Sequence, residues 1–342
     1  MTTYKDIYGT NIEVVSSDPA NPVIGQVWYN TTTEKVKANV SNPIVFSTAD
    51  TMPFPSTYMG SAGQVPFASP SGGYNGVGIV TGQSPASSPQ QAMVWQSFST
   101  GNGWTVAATW GTVRYATAGA GGYTSGVFAG GRLPNGSSTG ATDLYGGPAT
   151  DFTQNPTGLN TSRYFLGAAG ISKTAAVFFG GSPSDNTSTT ATENFNGSTW
   201  TNNPTGLNTS RMGLAGGGLN TSALAVGGTI FPGEARANAT ELFNGSTWTN
   251  KTSMTNVRSR VSGGGNSGSF IVPGGNNPSM VSGTTERWNG TSWSTLAATM
   301  LTGRYGNGTM GDGETAGVTF GGAPGNTLSE KYQGGPAVVT LT

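Results

Sequence analysis

The apolar positions of this chain fall in short runs that are separated by clusters of Gly, Asn, Ser and Thr. Runs such as "TAAVFFGG" at 174–181 end on glycines, and long stretches with helical spacing are missing. Short apolar runs bounded by turn residues are typical of β-strands joined by tight turns. The pattern therefore predicts an all-β fold made of many short strands.

Three features recur together along most of the chain. A repeat of about 48 residues with several strands per unit indicates a β-propeller, in which each unit forms one blade. Gly-Gly pairs begin at Gly130, Gly180, Gly227, Gly274 and Gly321, an acid precedes an aromatic at Asp143, Glu193, Glu241, Glu286 and Glu330, and an arginine ends each connecting segment at Arg114, Arg163, Arg211, Arg260 and Arg304.

Each part of the repeat has a place in such a blade. The small residues after the arginine suit an inner strand, because bulky side chains collide where the sheets converge. The bulkier strand follows, and the hairpin "ENFNGSTW" forms the two outer strands. Its aromatics, Phe195 and Trp200, are predicted to fill the space between neighbouring sheets.

The repeated acid and arginine allow two interpretations. Five arginines in a ring suit an anionic ligand, whereas an arginine paired with the acid of its own blade holds a loop-rich structure together. A ligand site does not need its counter-charge in every unit. We therefore predict five structural pairs.

A sixth, degenerate unit lies upstream of the five. The stretch "SGGYNGVGIVTGQ" at 71–83 resembles "AGGYTSGVFAGGR" at 120–132, but Met93 stands near the place of the acid and no arginine precedes the unit. We predict a propeller of six blades over residues 64–342, and five blades plus a closing segment is the alternative.

Residues 1–50 contain no copy of the repeat. The stretches "TNIEVVSSDP" and "GQVWYNTTTEKVKANV" are predicted strands, and alternation in the second places Val27, Tyr29 and Val36 on one side. A segment of this length can barely form a hydrophobic core alone. We therefore expect it to dock on a partner through Val27, Trp28 and Tyr29. The alternative is that Trp28 and Tyr29 fill a small core. Residues 51–63 are a predicted linker, and deleting residues 1–50 is expected to leave a folded, monomeric propeller.

Composition excludes several partners. The 15 basic and 15 acidic side chains cancel, so no electrostatic field draws the protein to nucleic acid or to an anionic membrane. No apolar run approaches the roughly 20 residues of a membrane helix. The start "MTTYKDIYGT" lacks the basic and apolar parts of a signal peptide, which predicts synthesis in a cytoplasm. Glycosylation of the Asn-x-Ser/Thr motifs requires secretion, so we interpret these motifs as turn residues.

Two stretches resemble known families. The GG, aromatic, Asn-Gly, Trp and Arg pattern over residues 64–342 resembles kelch-like propeller repeats. The opening "YKDIYGTNIEVVSSDPANPVIGQVWYNTTTEKVK" resembles the N-terminal segment of virion structural and fibre-like proteins of marine tailed phages. The resemblance implies an exterior virion component, assembled in the host cytoplasm, whose N-terminal part docks on other virion proteins.

The sequence offers little for catalysis. It has no histidine and no cysteine, which removes the usual general base, the commonest metal ligand and the crosslink of a kelch-type copper oxidase. Sialidase-like hydrolysis needs arginines, a tyrosine and an acid together, whereas these arginines are spread around a ring. Asp312 and Glu314 are close in sequence, but a solvated turn explains them better than a cation site. We predict no catalytic residue, no metal and no cofactor.

The expected function is therefore a non-enzymatic tail fibre, appendage or surface decoration that displays its propeller. The alternatives are a glycan-processing propeller enzyme and a non-viral cell-surface adhesin. Binding to host-surface glycan or to further copies of the chain is expected at the non-repeated loops between second and third strands, which gather on one face. Their candidate contact residues are Arg132, Phe231, Arg236 and Met280, and the alternative is solvent-facing loops with no partner.

Overall fold

The predicted all-β class is confirmed by the computed structural model. It describes residues 12–19, 26–49, 51–52, 60–62, 78–81, 91–95, 104–109, 112–122, 125–146, 152–277, 281–324 and 327–341. Within these ranges the regular structure is entirely β-strand, arranged mainly in four-stranded antiparallel sheets. This architecture is consistent with a β-propeller-like fold.

The described strands follow the repeat. In chain order they are β1 Glu13–Val15, β2 Val27–Asn30, β3 Lys35–Ala49, β4 Gly60–Ala62, β5 Gly78–Thr81, β6 Gln91–Trp95, β7 Trp104–Thr109, β8 Ala118–Gly122, β9 Ser125–Ala129, β10 Thr142–Tyr145, β11 Thr153–Asn155, β12 Gly167–Ser172, β13 Ala175–Phe179, β14 Thr192–Phe195, β15 Trp200–Asn202, β16 Ala215–Leu219, β17 Ser222–Val226, β18 Thr229–Ile230, β19 Ala235–Arg236, β20 Thr240–Phe243, β21 Trp248–Lys251, β22 Gly264–Gly265, β23 Phe270–Pro273, β24 Thr285–Trp288, β25 Trp293–Thr295, β26 Gly308–Gly311, β27 Ala316–Phe320 and β28 Ser329–Leu341.

These strands form six larger sheets, numbered here along the chain. The first contains β4 to β7, the second β8 to β11, the third β12 to β15, the fourth β16, β17, β20 and β21, and the fifth β22 to β25. The sixth has the order β1-β2-β3-β28-β27-β26. Strands β18 and β19 make a separate hairpin in the loop between β17 and β20.

Glycine closes the second strand of the repeat for a steric reason. In the third sheet, Gly180 and Gly181 follow β13 with φ of 65° and 92°. A Cβ on Gly180 would lie 2.7 Å from the carbonyl oxygen of Arg211 in the next connecting segment. The pair therefore allows both the turn and the close approach of the neighbouring sheet.

The Asn-Gly turns of the outer hairpins have a positive φ at the glycine only. Gly197 has a φ of 100°, but Asn196 keeps a negative φ. Its side-chain oxygen instead accepts the backbone N–H groups of Ser198 and Thr199, at 3.0 and 2.9 Å. The glycine supplies the left-handed conformation and the asparagine closes the turn by hydrogen bonding.

The outer-hairpin aromatics fill the space between sheets, as predicted. Phe195 and Trp200 are buried, and the Trp200 ring packs edge-on against Phe178 at 5.0 Å between centroids. Trp200 Nε1 also donates a 3.0 Å hydrogen bond to Thr142 Oγ1 of the preceding sheet. The same contact joins Trp248 to Thr192 and Trp293 to Thr240. Each tryptophan therefore gives a seam both apolar contact and one directed hydrogen bond.

The N-terminal segment is joined to the last sheet. Strand β3 pairs antiparallel with β28 from Ala49 opposite Ser329 to Val36 opposite Leu341. It therefore supplies the outermost strand of a four-stranded antiparallel unit, and β2 and β1 extend that sheet further. The predicted boundary at residue 50 does not separate two independent parts of the fold.

The predicted linker, residues 51–63, is tied to sheets at both described ends. Met52 is buried, and its N–H donates to the carbonyl oxygen of Thr327 at 2.8 Å. Gly60–Ala62 is strand β4 of the first sheet, so that sheet begins before residue 64.

Removing β3 should damage the fold, contrary to the expectation from sequence. Deleting residues 1–49 exposes the long edge of β28 and removes buried Ile44, so we expect a loss of at least about 3 kcal/mol in unfolding free energy and aggregation through the open edge. Urea unfolding and size-exclusion chromatography measure both effects. Deleting residues 1–34 keeps β3 and is the matched control. Equal stability of the two truncated chains would contradict this role of β3.

One seam lacks its hydrogen bond. Phe46 stands opposite Tyr332, the register position that Trp200, Trp248 and Trp293 hold in their own sheets. Phenylalanine has no ring N–H, and the buried Thr285 Oγ1 of the fifth sheet has no hydrogen-bond partner among the described residues. The seam between the fifth and sixth sheets is therefore short of one donor.

Substituting Phe46→Trp should complete this seam. We expect unfolding free energy to rise by about 1 kcal/mol, since a tryptophan at the equivalent register position donates to the equivalent threonine hydroxyl in three other sheets. Urea unfolding of Phe46→Trp in wild-type and Thr285→Val backgrounds forms the test. A gain that persists without the Thr285 hydroxyl would show that added ring area, and not the hydrogen bond, is responsible.

Candidate functional site

Five arginine–carboxylate pairs are the most repeated charged feature of the described residues. All of their side chains are almost fully buried. The shortest N–O distances are 2.5 Å for Arg114–Asp143, 3.0 Å for Arg163–Glu193, 2.8 Å for Arg211–Glu241, 2.5 Å for Arg258–Glu286 and 2.6 Å for Arg304–Glu330.

The pair in the fourth sheet shows how the charges are satisfied. Arg211 Nη1 donates to the carbonyl oxygens of Gly227 and Ala239, both at 2.8 Å, and these carbonyls lie at the facing ends of β17 and β20. Its Nη2 donates to Glu241. The Glu241 carboxylate in turn accepts the backbone N–H of Asn208 at 2.6 Å, within the connecting segment. The pair therefore ties a connector to the strands of the next sheet.

Burial is the main influence on these arginines. Desolvation lowers the pKa of Arg163 to about 10, and the neighbouring Glu193 carboxylate opposes this shift. The pKa values of the other four arginines are lowered for the same reason and opposed by their own partners. Each arginine lies within 3.0 Å of its own carboxylate, so each pair is a buried ion pair with its own counter-charge.

One predicted member of this set is wrong. The arginine that pairs with Glu286 is Arg258, not Arg260. The motif "RSR" contains both arginines, and Arg260 is the one that ends the segment. The spacing to the Gly-Gly pair identifies the right one, because Arg258 precedes Gly274 by 16 residues, as Arg211 precedes Gly227. The other four arginines pair with the acids predicted for them, and Glu286 pairs with Arg258.

The arginines do not converge on a common point that a substrate could occupy. Each donates to its own carboxylate, and Arg163, Arg211, Arg258 and Arg304 also donate to local carbonyl groups. No cluster of three or more His, Cys, Asp or Glu side chains suited to a metal occurs in the part of the chain that the structure describes. Glu314 is paired with Arg287 at 2.5 Å, and burial raises the pKa of Asp312.

Two of the predicted loop residues form contacts with neighbouring loops. Arg132 forms a 2.7 Å ion pair with Asp185 and stacks over the Tyr164 ring at 5.1 Å. The backbone N–H of Phe231 donates to Ser188 Oγ. These contacts link the loops of the second, third and fourth sheets into one rim. Arg236 is half-buried at the base of the β18–β19 hairpin, and Met280 lies outside the described residues.

The three predicted docking residues do not share one side of β2. Trp28 faces one side, and Val27 and Tyr29 face the other. Trp28 is fully buried, and its Nε1 donates to Asp18 Oδ1 at 3.1 Å, so it is a core residue. Hydrogen bonds from Lys37, then Asn30 and Trp28, lower the pKa of Asp18 to about 2. Val27 and Tyr29 are half-buried on the other side, where Tyr29 pairs with Val36 as the alternation predicts.

A cavity that sequence reasoning missed lies where the inner strands begin. It has a volume of about 90 Å³. The second residue after each paired arginine lines it, and all five of these residues have positive φ: Ala116, Phe165, Gly213, Arg260 and Gly306. Backbone hydrogen bonds connect them from sheet to sheet, for example Phe165 N–H to Ala116 O at 2.9 Å and Gly306 N–H to Arg260 O at 2.8 Å. The sequence signal that identifies these five positions is their fixed offset of two residues from the paired arginine.

No protein-family model and no curated protein sequence matches this chain. Within the described residues, no helix has the length and apolar character to cross a bilayer. The class supported by the coordinates is an all-β protein of antiparallel four-stranded sheets, consistent with a β-propeller-like fold.

Breaking one buried pair should destabilise the protein strongly. Arg211→Ala leaves Glu241 buried without its counter-charge, and we expect a loss of about 3–5 kcal/mol in unfolding free energy. Arg287→Ala is the matched control, because its pair with Glu314 is about one-third exposed and should contribute about 0–1 kcal/mol. Urea unfolding measures both. Similar losses in the two variants would contradict the conclusion that a buried pair stabilises the fold more than the exposed pair does.

Proposed function

We propose that the chain forms a closed six-bladed propeller. The innermost strands β4, β8, β12, β16, β22 and β26 contact one another in that order, and β26 contacts β4. In this arrangement the sixth blade consists of β26, β27, β28 and the N-terminal strand β3. Closure by a strand from the far end of the sequence joins the first and last parts of the ring.

We further propose that this propeller is a non-enzymatic structural component of a virion, displayed on the exterior of the particle. The observation that carries the non-enzymatic role is the use of the repeated charges, which are buried in separate ion pairs and leave no acid–base constellation among the described residues. The virion location rests on the resemblance of the N-terminal segment to phage structural proteins.

The geometry supports docking through the extension of the sixth sheet. Strands β2 and β1 lie beyond β3, and β1 is an edge strand. Val14 on this edge is 66% exposed, and Val27 and Tyr29 are half-buried. An open edge with apolar side chains suits pairing with a strand of another virion protein or of another copy of the chain. The opposite role, display toward a host-surface glycan, falls to the linked loops around the cavity.

Labelling tests the location. Gold-labelled antibody against the full chain, applied to purified particles of the phage that encodes it, should mark the particle exterior, and the chain should appear in the particles by mass spectrometry. Absence from purified particles would overturn the proposal. Incubation of the chain with host polysaccharide should release no sugar, and release would favour the glycan-processing alternative.

Substitutions on the edge test the docking surface. Val14→Lys should reduce incorporation into particles about tenfold, because burial of this valine would contribute about 1.5 kcal/mol, or a factor of ten in affinity. Leu301→Lys is the matched control, since Leu301 is similarly exposed at 58% on a connector. Both chains should fold normally. Equal incorporation of the two variants would show that β1 is not the docking edge.

A further inference from the structure

Strand β28 of the sixth sheet continues past its neighbour β27. The two strands pair only as far as Gln333, and the next N–H, that of Gly334, donates to the carbonyl oxygen of Thr315 at 2.9 Å. Over residues 335–341, β28 pairs only with β3 among the described strands. The outer side of this part of β28 is therefore a second edge of the sheet, opposite the edge that β1 forms.

The register shows which backbone groups this second edge presents. In an antiparallel strand the N–H and C=O of one residue point to the same side, and successive residues alternate. The register shift in this pairing places its extra residue in β3, so the alternation along β28 is unbroken. Because the backbone of Gly334 points away from β3, the backbones of Pro336, Val338 and Thr340 point away from it as well. The proline has no N–H, and at an outward position it costs no bond to β3.

The second edge lacks most of the features that keep sheet edges from pairing. Natural edge strands are commonly protected by charged side chains, by a bulge in the edge strand itself or by a covering segment. Residues 332–342 contain no charged residue, and the extra residue of the register shift is in β3. Val338 and Thr340 each offer an N–H and a C=O, and only Pro336 restricts the edge, at one end.

We propose that this edge pairs antiparallel with the same edge of a second copy of the chain, about a two-fold axis. Two registers allow every outward N–H of residues 336–340 to meet a carbonyl oxygen. With the axis at Val338, this residue pairs with its own copy, and the Thr340 N–H meets the carbonyl oxygen of Pro336. With the axis at Val339, Val338 and Thr340 of the two copies exchange both of their hydrogen bonds. The Val338 N–H is a donor across the interface in both registers.

The charge of the chain favours a second copy as the partner. Two uncharged edges bring no like charges together, and the 15 basic and 15 acidic residues of each chain cancel, so no net repulsion opposes the approach of two copies. A charged partner strand would find no counter-charge in residues 332–342. Pairing of identical edges closes at two copies, because each edge is then occupied. The dimer leaves the β1 edge available, so this inference goes beyond the proposed virion role and does not depend on it.

Analytical ultracentrifugation of the full chain tests the pairing. Wild type should sediment as a dimer at about 100 μM, and Val338→Pro should weaken dimerisation at least about tenfold, because it removes an outward N–H without removing a bond to β3. Val338→Thr keeps this N–H and a β-branched side chain, so it is the matched control and should dimerise like wild type. Thermal unfolding shows whether each variant is folded. A monomeric wild type at this concentration, open-ended aggregation in place of a dimer, or equal dimerisation of a folded Val338→Pro chain overturns the proposal.

Cysteine cross-linking tests the same interface without changing the backbone. The chain has no cysteine, so a single introduced cysteine can form a disulfide only with its own copy. Val338→Cys or Val339→Cys, whichever lies at the axis, should oxidise to a covalent dimer, because directly opposed Cα atoms are about 4.5–5.5 Å apart. Leu341→Cys is the matched control, because its two copies would be at least about 14 Å apart along the strands.

A covalent dimer from neither valine position, or equal cross-linking at position 341, contradicts the proposed pairing. Both experiments use isolated protein, so their failure leaves the particle location unaffected. Conversely, absence of the chain from particles would overturn the virion role without changing the dimer.

Discussion

The buried arginine–carboxylate pair is the interaction on which the rest of the structure depends. A set of short-stranded sheets joined by long, glycine-rich connectors has many backbone groups that strands alone cannot satisfy. In the third to sixth sheets an arginine donates to carboxylate and carbonyl oxygens, while its glutamate accepts N–H groups of the connector. Burying two charges is costly unless the charges are paired and hydrogen-bonded, and this geometry supplies both the counter-charge and the carbonyl acceptors. It fixes the connector, and the connector fixes where the next sheet begins.

The seams between sheets use a second, weaker device that follows the same logic. An indole N–H meets a threonine hydroxyl across three successive seams. The seam between the first and second sheets lacks both groups. The second sheet has Phe152 at the tryptophan position, so the indole N–H is absent, and the first sheet has Ala92 at the threonine position, so the hydroxyl acceptor is absent as well. In the fifth sheet the threonine position holds Thr285, and the register position of the tryptophan in the sixth sheet holds Phe46 of β3. The unmatched hydroxyl therefore occurs where the N-terminal strand replaces the hairpin strand of an ordinary unit.

The sequence allowed much of the fold to be predicted, because the repeat encodes it locally. The inner strand of small residues, the Gly-Gly turn and the aromatic outer hairpin each follow from a steric requirement visible in one unit. The pairing of β3 with β28 could not be foreseen, since the two strands lie at opposite ends of the sequence and share no motif. Arg260 was misplaced because two arginines stood two residues apart. The burial of Trp28 depends on Asp18, Asn30 and Lys37, whose meeting is a property of the folded sheet.

Departures from the repeat are where this chain is free to acquire specific binding. A repeated position is constrained by its role in the ring, and changing it weakens the whole. Arg260 is different: it keeps a left-handed backbone, with φ of 51°, at a position where Gly213 and Gly306 adopt the same conformation without strain. The ion pair of this unit is formed by Arg258 and Glu286, so the side chain at position 260 can differ between sheets without changing that pair. Ala116 and Phe165 adopt the same conformation, with φ of 56° and 54°, so this position accepts side chains that differ in size and charge while the backbone stays the same.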